Sequence, residues 1–411
     1  MECRYNSRMA DTNPLPTDYH RAIVAQMQAD EPDLVGWFAS SRQRAAQADA
    51  IRLDLLKSTY RLEREAQPKM YAIVDALRDQ LQLTATVTLY QAQTGTRLNA
   101  SLAYLPGEAH VILAGPMAEM LAENELRAVL AHELGHFVFF TIDDGIYLVL
   151  SDLLDALSRD AASGPTFTET ARLYRLWTEI YADRWACRAS GDPLAAIAAL
   201  IKTETGVSDV NAESYLRQAD EILAKPDEHA NQTTHPESYI RARALKLWAE
   251  RGNDAGADIE RMIQGPMRLD QFDLLSQKRT ARRTRELLDL LLAPTWYRTD
   301  TVMTHANRFL PSFTPNGAIA PSTIDEFKSD VNQAHATWRD YLCYVMLDFV
   351  TVDRDLGDVA LASAIVLSRK LGLDERFIEL AQKELGMTKK AFAKVEKDAD
   401  GIIEKANGSA K

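Results

Sequence analysis

The residues of this chain best suited to chemistry are Ala131-His132-Glu133-Leu134-Gly135-His136, inside the run ENELRAVLAHELGHFVFF. His132 and His136 stand four residues apart, so on an α-helix they project from one face, one turn apart. Two imidazoles so placed can grip one zinc ion, and the Glu133 carboxylate between them can reach a metal-bound water. Glu133 falls in the helical arc of Leu126, Val129 and Phe137, where a free carboxylate is costly to bury. A metal and a water beside it remove that cost. Two histidines from one helix need a third protein ligand, with the fourth zinc position left for water. Glu179 and Asp183, in EIYADRWACRASGDP, share one helix face, four residues apart. They offer a ligand and a carboxylate to hold a ligating imidazole in its tautomer.

Elements must position these groups. Asn124 is the expected N-cap of the first helix, Glu125 suits its positive end, and Leu126, Val129, Leu130, Leu134, Phe137 and Val138 form its apolar stripe. The second helix is expected from near Thr168 to a stop at Gly191 and Pro193, with Leu173, Leu176, Trp177, Ile180, Tyr181 and Trp185 as its stripe. Before them, residues 18–82 read as helices: Ile23, Val24 and Met27, then Leu53, Leu56 and Tyr60, then Ile73, Val74 and Leu77 recur at helical spacing, with a break at Gln67-Pro68. TATVTLYQA (84–92), RLNASLAYL and HVILAG read as three short strands of a small antiparallel sheet. An edge strand beside a zinc cleft is where an extended peptide could add; a purely structural sheet is the alternative.

The composition, 46% hydrophobic and 26% charged with net charge −12, is that of a globular protein and argues against nucleic acid or anionic lipid as main partner. Cys3, Cys187 and Cys343 are odd in number and form no CxxC pair, which fits a reducing compartment. The amino terminus has no apolar signal core, and Met9 could equally be the start. FVFFTIDDGIYLVL and YLCYVMLDFVTV are too short or too charged to span a membrane. A cytoplasmic protein is expected.

The series Asn99-Ala100, ENELRAVLAHELGH, EIYADRWACRASGDP and THPESYIRAR resembles the HtpX-like and CaaX-prenyl-protease family of zinc metallopeptidases, over roughly residues 85–245. The resemblance implies a gluzincin core with one zinc held by His132, His136 and Glu179, and Glu133 as the catalytic carboxylate. Asp183 matches the family's aspartate behind the ligands, His235 a histidine that stabilises the tetrahedral intermediate, and Arg241 a recurring arginine. Asn99 and Ala100 would meet substrate. Two departures stand out: membrane members carry spanning helices, and Glu237 here replaces a second proline after His-Pro. His229, in the same polar loop as His235, reads as an exposed, inert histidine.

Farther on, Lys278, Arg279, Arg282, Arg283 and Arg285 read as a solvated basic helix face, or one bound to the chain's own acids, rather than a nucleic-acid contact. PSFTPNGAIAPST reads as a linker. The helical stretch beyond it resembles the TerB-like domain of tellurite-resistance proteins. In that family an acidic turn can contribute to a metal site, so Asp348, Asp353, Asp355 and Asp358 are candidates for Ca2+ or Mg2+. Helix capping by solvated aspartates is the alternative.

The expected architecture is therefore α+β and predominantly α-helical. Helices at 1–83 precede a zinc-peptidase core at 84–250; a helical extension (251–310), a linker (311–324) and a C-terminal helical domain (325–411) follow. Two functions stay open: a zinc-dependent endopeptidase acting on protein or peptide substrates, or a latent peptidase fold serving as an interaction or stress-signalling module through its C-terminal helices, which could also bind a regulatory partner.

Overall fold

In a computed structural model, residues 13–40, 44–95, 97–225, 227–316 and 320–409 are described. Cys3, Met9 and positions 317–319 of the expected linker lie outside them. The chain forms two compact units, Met1–Gly265 and Pro266–Lys411.

The first unit contains helices α1 (Asp18–Asp30), α2 (Pro32–Ser40) and α3 (Arg44–Ser58), strand β1 (Thr59–Arg61), α4 (Pro68–Gln80), and strands β2 (Thr86–Ala92), β3 (Asn99–Leu105) and β4 (Glu108–Ala114). Then come a single turn α5 (Met117–Met120), α6 (Glu123–Thr141), α7 (Ile146–Arg159), α8 (Pro165–Ser190), α9 (Pro193–Thr205), α10 (Ala212–Leu223), α11 (Ser238–Arg251) and α12 (Gly256–Gln264). Pro165 opens α8 at a position where its missing N–H costs nothing, and Gly191 closes it at φ 68°. The Gln67-Pro68 break is observed, with α4 starting on the proline.

The sheet is mixed, in the order β1-β2-β4-β3, which corrects the antiparallel expectation. β3 and β4 form an antiparallel hairpin with Leu105 opposite Glu108, but β4 returns between β3 and β2 and so runs parallel to β2. Pairing partners separated by a folded-back strand leave no mark on local alternation, so only the strands themselves were readable. β1 corrects a second expectation. Tyr60, placed on a helical stripe, lies exposed on this short strand, which pairs antiparallel with β2. Tyr104 of β3 sets its ring 5.3 Å from Phe137 and 5.8 Å from Phe140, so the sheet lies on α6.

The second unit holds α13 (Leu274–Leu291), α14 (Asp300–Phe309), α15 (Pro321–Gln333), α16 (Ala336–Thr351), α17 (Asp358–Leu371), α18 (Asp374–Glu384) and α19 (Lys389–Ser409). One apolar core joins Leu287, Val302 and Phe313 to Phe327, Trp338 and Phe377. The expected linker at 311–324 therefore lies inside this unit, with Phe313 buried, and the division falls at Gly265-Pro266. The basic run is bound to the chain's own acids: Arg283, 2% exposed, donates from Nε to Asp330 (2.7 Å) and from Nη1 to Glu286 (2.6 Å), while Arg279 reaches Asp330 at 2.8 Å.

No helix among the described residues is long and apolar enough to cross a membrane. Asp143, Asp144 and Gly145 break FVFFTIDDGIYLVL with left-handed backbone at φ 49°, 56° and 74°.

Candidate metal centre

The helix that carries the HELGH segment begins at Glu123, not after Asn124. Its N-cap is Ala122, whose N–H donates to Glu125 Oε2 at 2.8 Å. The same oxygen receives Lys202 Nζ of α9 at 2.7 Å, with both side chains largely buried. Asn124 sits in the first turn, where its Oδ1 accepts from the N–H of Glu125. A long-range lysine therefore secures a helix start that local preference assigns two residues later.

α6 packs directly on α8 because Gly135 lets it. A Cβ at Gly135 would stand 3.0 Å from Trp185 Cδ1, 3.1 Å from Trp185 Cβ and 3.3 Å from Ala182 Cα. Glu179 and Asp183 of α8 flank that contact, and the close approach brings them to the two histidines. His132 Nε2 lies 3.2 Å from His136 Nε2 and 3.3 Å from Glu179 Oε2; His136 Nε2 lies 3.4 Å from Glu179 Oε1. Donors about 2.0–2.1 Å from a tetrahedral zinc sit about 3.3–3.4 Å from one another. The two imidazole nitrogens stand one such edge apart, and each has its own Glu179 carboxylate oxygen at that same spacing. Glu179 Oε2 is buried without a well-formed hydrogen bond, 3.3 Å from His132 Nε2 and 3.6 Å from Arg241 Nη2, so it keeps lone-pair capacity for a cation. These residues fit zinc. Among the described residues no other His, Cys, Asp or Glu joins the group.

Behind the donors, Asp183 Oδ1 stands 3.0 Å from His132 Nδ1 and would hold a proton there, so that Nε2 is the nitrogen a cation would take. Arg241 of α11 holds Asp183 with two hydrogen bonds, Nε to Oδ2 at 2.9 Å and Nη2 to Oδ1 at 2.6 Å. The electrostatics follow from burial and these neighbours. Burial works against a charged His132, but Asp183 and Glu179 outweigh it and push its pKa up to about 10. Burial holds His136 down to about 4, and among the described residues no carboxylate pairs with its ring from behind as Asp183 does with His132. For Glu179 burial opposes ionisation, yet His136, His132 and Arg241 keep the carboxyl well below its usual range. Burial lifts Glu133 to about 7, with His132 opposing and Glu179 adding to the rise.

An open cleft leads to the donors. Glu133 lines it beside His132 and Glu179, and Asn99 and Ala100 at the start of β3 line one side. Ala196, Ala199 and Leu200 of α9 supply a wall the sequence reading passed over, although the small-residue run PLAAIAALI marks a helix built for close packing. His235 lies at the rim, about half exposed, with Nε2 3.6 Å from Glu179 Oε1. The residues expected to share one site therefore do share it.

Residues 64–249 match the family model described as Peptidase family M48. Over this segment, 186 of the 411 residues, the chain is similar to that family. Members of that family are generally zinc-dependent, which agrees with the donor spacing. The chain is also similar to plastoglobule-localized metallopeptidase 48, chloroplastic, of Arabidopsis thaliana, at 28% identity over 183 residues, covering 39% of this chain and 51% of the relative. The chain thus spans about half the length of this curated relative. No solved structure matches it.

Two expectations fail outside the cleft that leads to the donors. His229 is not exposed: it is 5% exposed beneath Gly265, with Nδ1 2.6 Å from the Asp227 carbonyl. Asp348, Asp353, Asp355 and Asp358 do not converge as a cation site. Asp353 caps a short turn instead, accepting the N–H of Asp355 at 3.0 Å and the Thr299 hydroxyl at 2.6 Å, so its oxygens are already used.

Proposed function

We propose that the protein is a zinc-dependent endopeptidase of the M48 type. The observation that carries this reading is the convergence of His132, His136 and Glu179 with the buried Glu133 carboxylate lining the same cleft. A zinc ion held by the three donors would supply Lewis acidity toward a carbonyl and make water acidic near neutral pH. Glu133, buried and lining the cleft beside His132 and Glu179, suits the two proton transfers of amide hydrolysis: it takes the proton of the attacking water and returns it to the leaving amine. His235 at the rim donates from Nε2 to the oxyanion that develops on the substrate, a contribution of roughly 10²–10³ in rate for such donors. Asp183 and Arg241 keep His132 in the tautomer the site requires. The β3 edge, starting at Asn99 and Ala100, offers backbone groups to an extended peptide.

Glu133→Gln tests the reading. The variant should fold and keep zinc, and lose hydrolysis by roughly 10²–10⁴. The inactive protein should also retain bound substrates that mass spectrometry can identify. Cleavage by Glu133→Gln at the wild-type rate would remove Glu133 from the mechanism.

The second unit has its own core, which supports a partner-binding or regulatory role for it rather than a share in the chemistry. Cys187 and Cys343 are both unpaired and buried, which supports a reducing compartment such as the cytoplasm.

A further inference from the structure

The segment 228–237, which carries His235, has neither helix nor strand. Such a surface stretch is ordinarily among the most mobile parts of a fold. Here its middle, residues 230–233, is tied to α8. Arg172 donates from Nη1 to the carbonyls of Ala230 and Gln232, each at 3.1 Å, and Arg175 donates from Nε to the carbonyl of Thr233 at 3.2 Å. Both guanidinium groups are held in turn. Glu169 receives Arg172 Nε and Nη2 at 2.9 and 2.7 Å, and Asp155 receives Arg175 Nη1. Within the segment, Glu237 Oε1 accepts the N–H of Asn231 at 3.0 Å, and the N–H of Ala230 reaches the Met262 carbonyl at 2.8 Å.

Arg172, Arg175 and Glu179 occupy positions i, i+3 and i+7 of α8 and so lie on one line along it. The line that ends in a zinc donor begins in two clamps on the backbone leading to His235. We propose that Arg172 and Arg175 are positioning residues: they fix the 230–233 backbone and thereby set where the His235 imidazole stands over the cleft. Arginine is required at 172 because one planar group meets two carbonyls and a carboxylate together, which an ammonium cannot do in that geometry. The inference rests on the role given above to His235.

The test uses the zinc-loaded full chain with Arg172→Gln and Arg175→Gln combined, and with Arg172→Lys alone. Zinc content should be unchanged. Amide exchange across 230–235 should accelerate at least about tenfold. Hydrolysis should lose about 10- to 100-fold in kcat with little change in KM, and affinity for a peptide phosphonamidate, whose phosphoryl oxygens mimic the oxyanion, should fall in parallel. In a His235→Ala background the same arginine substitutions should change kcat and phosphonamidate affinity less than about twofold, because they act through that imidazole. Equal losses in both backgrounds would overturn the proposal and leave the arginines as supports of the fold. Unchanged exchange with unchanged kcat would overturn it too. If His235→Ala alone alters neither kcat nor phosphonamidate affinity, the role of His235 itself falls, and the positioning role with it. Loss on His235→Ala without loss on the arginine variants would sink only the positioning role.

Discussion

Gly135→Ala should weaken zinc binding although the residue touches no ligand. In an exposed helix the change would stabilise by roughly 0.5–1 kcal/mol, since glycine is the poorer helix former. At Gly135 the new methyl would lie 3.0 and 3.1 Å from two Trp185 carbons and 3.3 Å from the Ala182 backbone. Ordinary carbon contacts are about 3.5–4.0 Å, so α8 must retreat by about 0.5 Å. Trp185 is 1% exposed and has nowhere to turn. Overpacking of this kind costs about 1–3 kcal/mol and outweighs the helix gain. The retreat carries Glu179 and Asp183 away from His132 and His136, opening the two histidine–Glu179 spacings that now stand at 3.3 and 3.4 Å. Disturbed support of this sort costs roughly 10- to 100-fold in metal affinity. Competition with a chromophoric chelator at fixed pH gives the affinity, and thermal melting with and without zinc gives the stability. Gly256→Ala, where a methyl meets nothing within 4 Å, serves as the control and should leave zinc affinity alone. A Gly135→Ala protein that melts higher than wild type and binds zinc equally well would refute the close-approach explanation.

Glu179→Ala should strip zinc from a chain that otherwise holds about one ion; unchanged metal content and unchanged coordination by X-ray absorption would eliminate Glu179 as a ligand. His20, fully buried, accepts or donates at Thr17, Tyr174 and Thr178, and burial lowers its pKa from 6.5 to about 3. The unfolded chain therefore takes up the proton first, so this contribution is complete above pH 6.5 and is lost as pH falls from there toward 3, amounting to roughly 5 kcal/mol at full loss. Denaturant unfolding between pH 4 and 6.5 should show a steeper pH slope for wild type than for His20→Gln, and equal slopes would exclude His20 as the source. A chain truncated after Gly265 should stay soluble and bind zinc, whereas one ending at residue 310 should aggregate because it exposes Leu287 and Val302 without their partners; size-exclusion chromatography and metal analysis distinguish the two.

Much of the site was legible because its spacing is local. His132, Glu133 and His136 need only the pitch of one helix, and Glu179 with Asp183 only that of another. What brings the two helices to bonding distance is not local: it is the absence of a side chain at Gly135, a residue a sequence reader weighs only as a weak helix former. The α6 start was misplaced for a similar reason, since Lys202 reaches Glu125 from 77 residues away. Sheet order was hidden because β3 and β4 alternate in the same manner whichever of them lies beside β2. The unit boundary did have a signal. Gly265-Pro266 is a strong chain punctuation, but the richer cluster near 311–323 outweighed it, although Phe313 was the sign of a segment that packs. His229 illustrates the opposite error, a polar loop hiding a buried ring.

α8 is buried around most of its circumference, and successive turns meet the His235 segment, the zinc donors, Arg241 and the Gly135 notch. Such a bar has leverage. A turn of about 10° about its own axis would move a side chain about 5–6 Å from that axis by about 1 Å. All four attachments would go out of register together, with no covalent bond broken and no helix unfolded. A blocker lodged at the cleft rim would only compete with substrate and could be displaced by more of it.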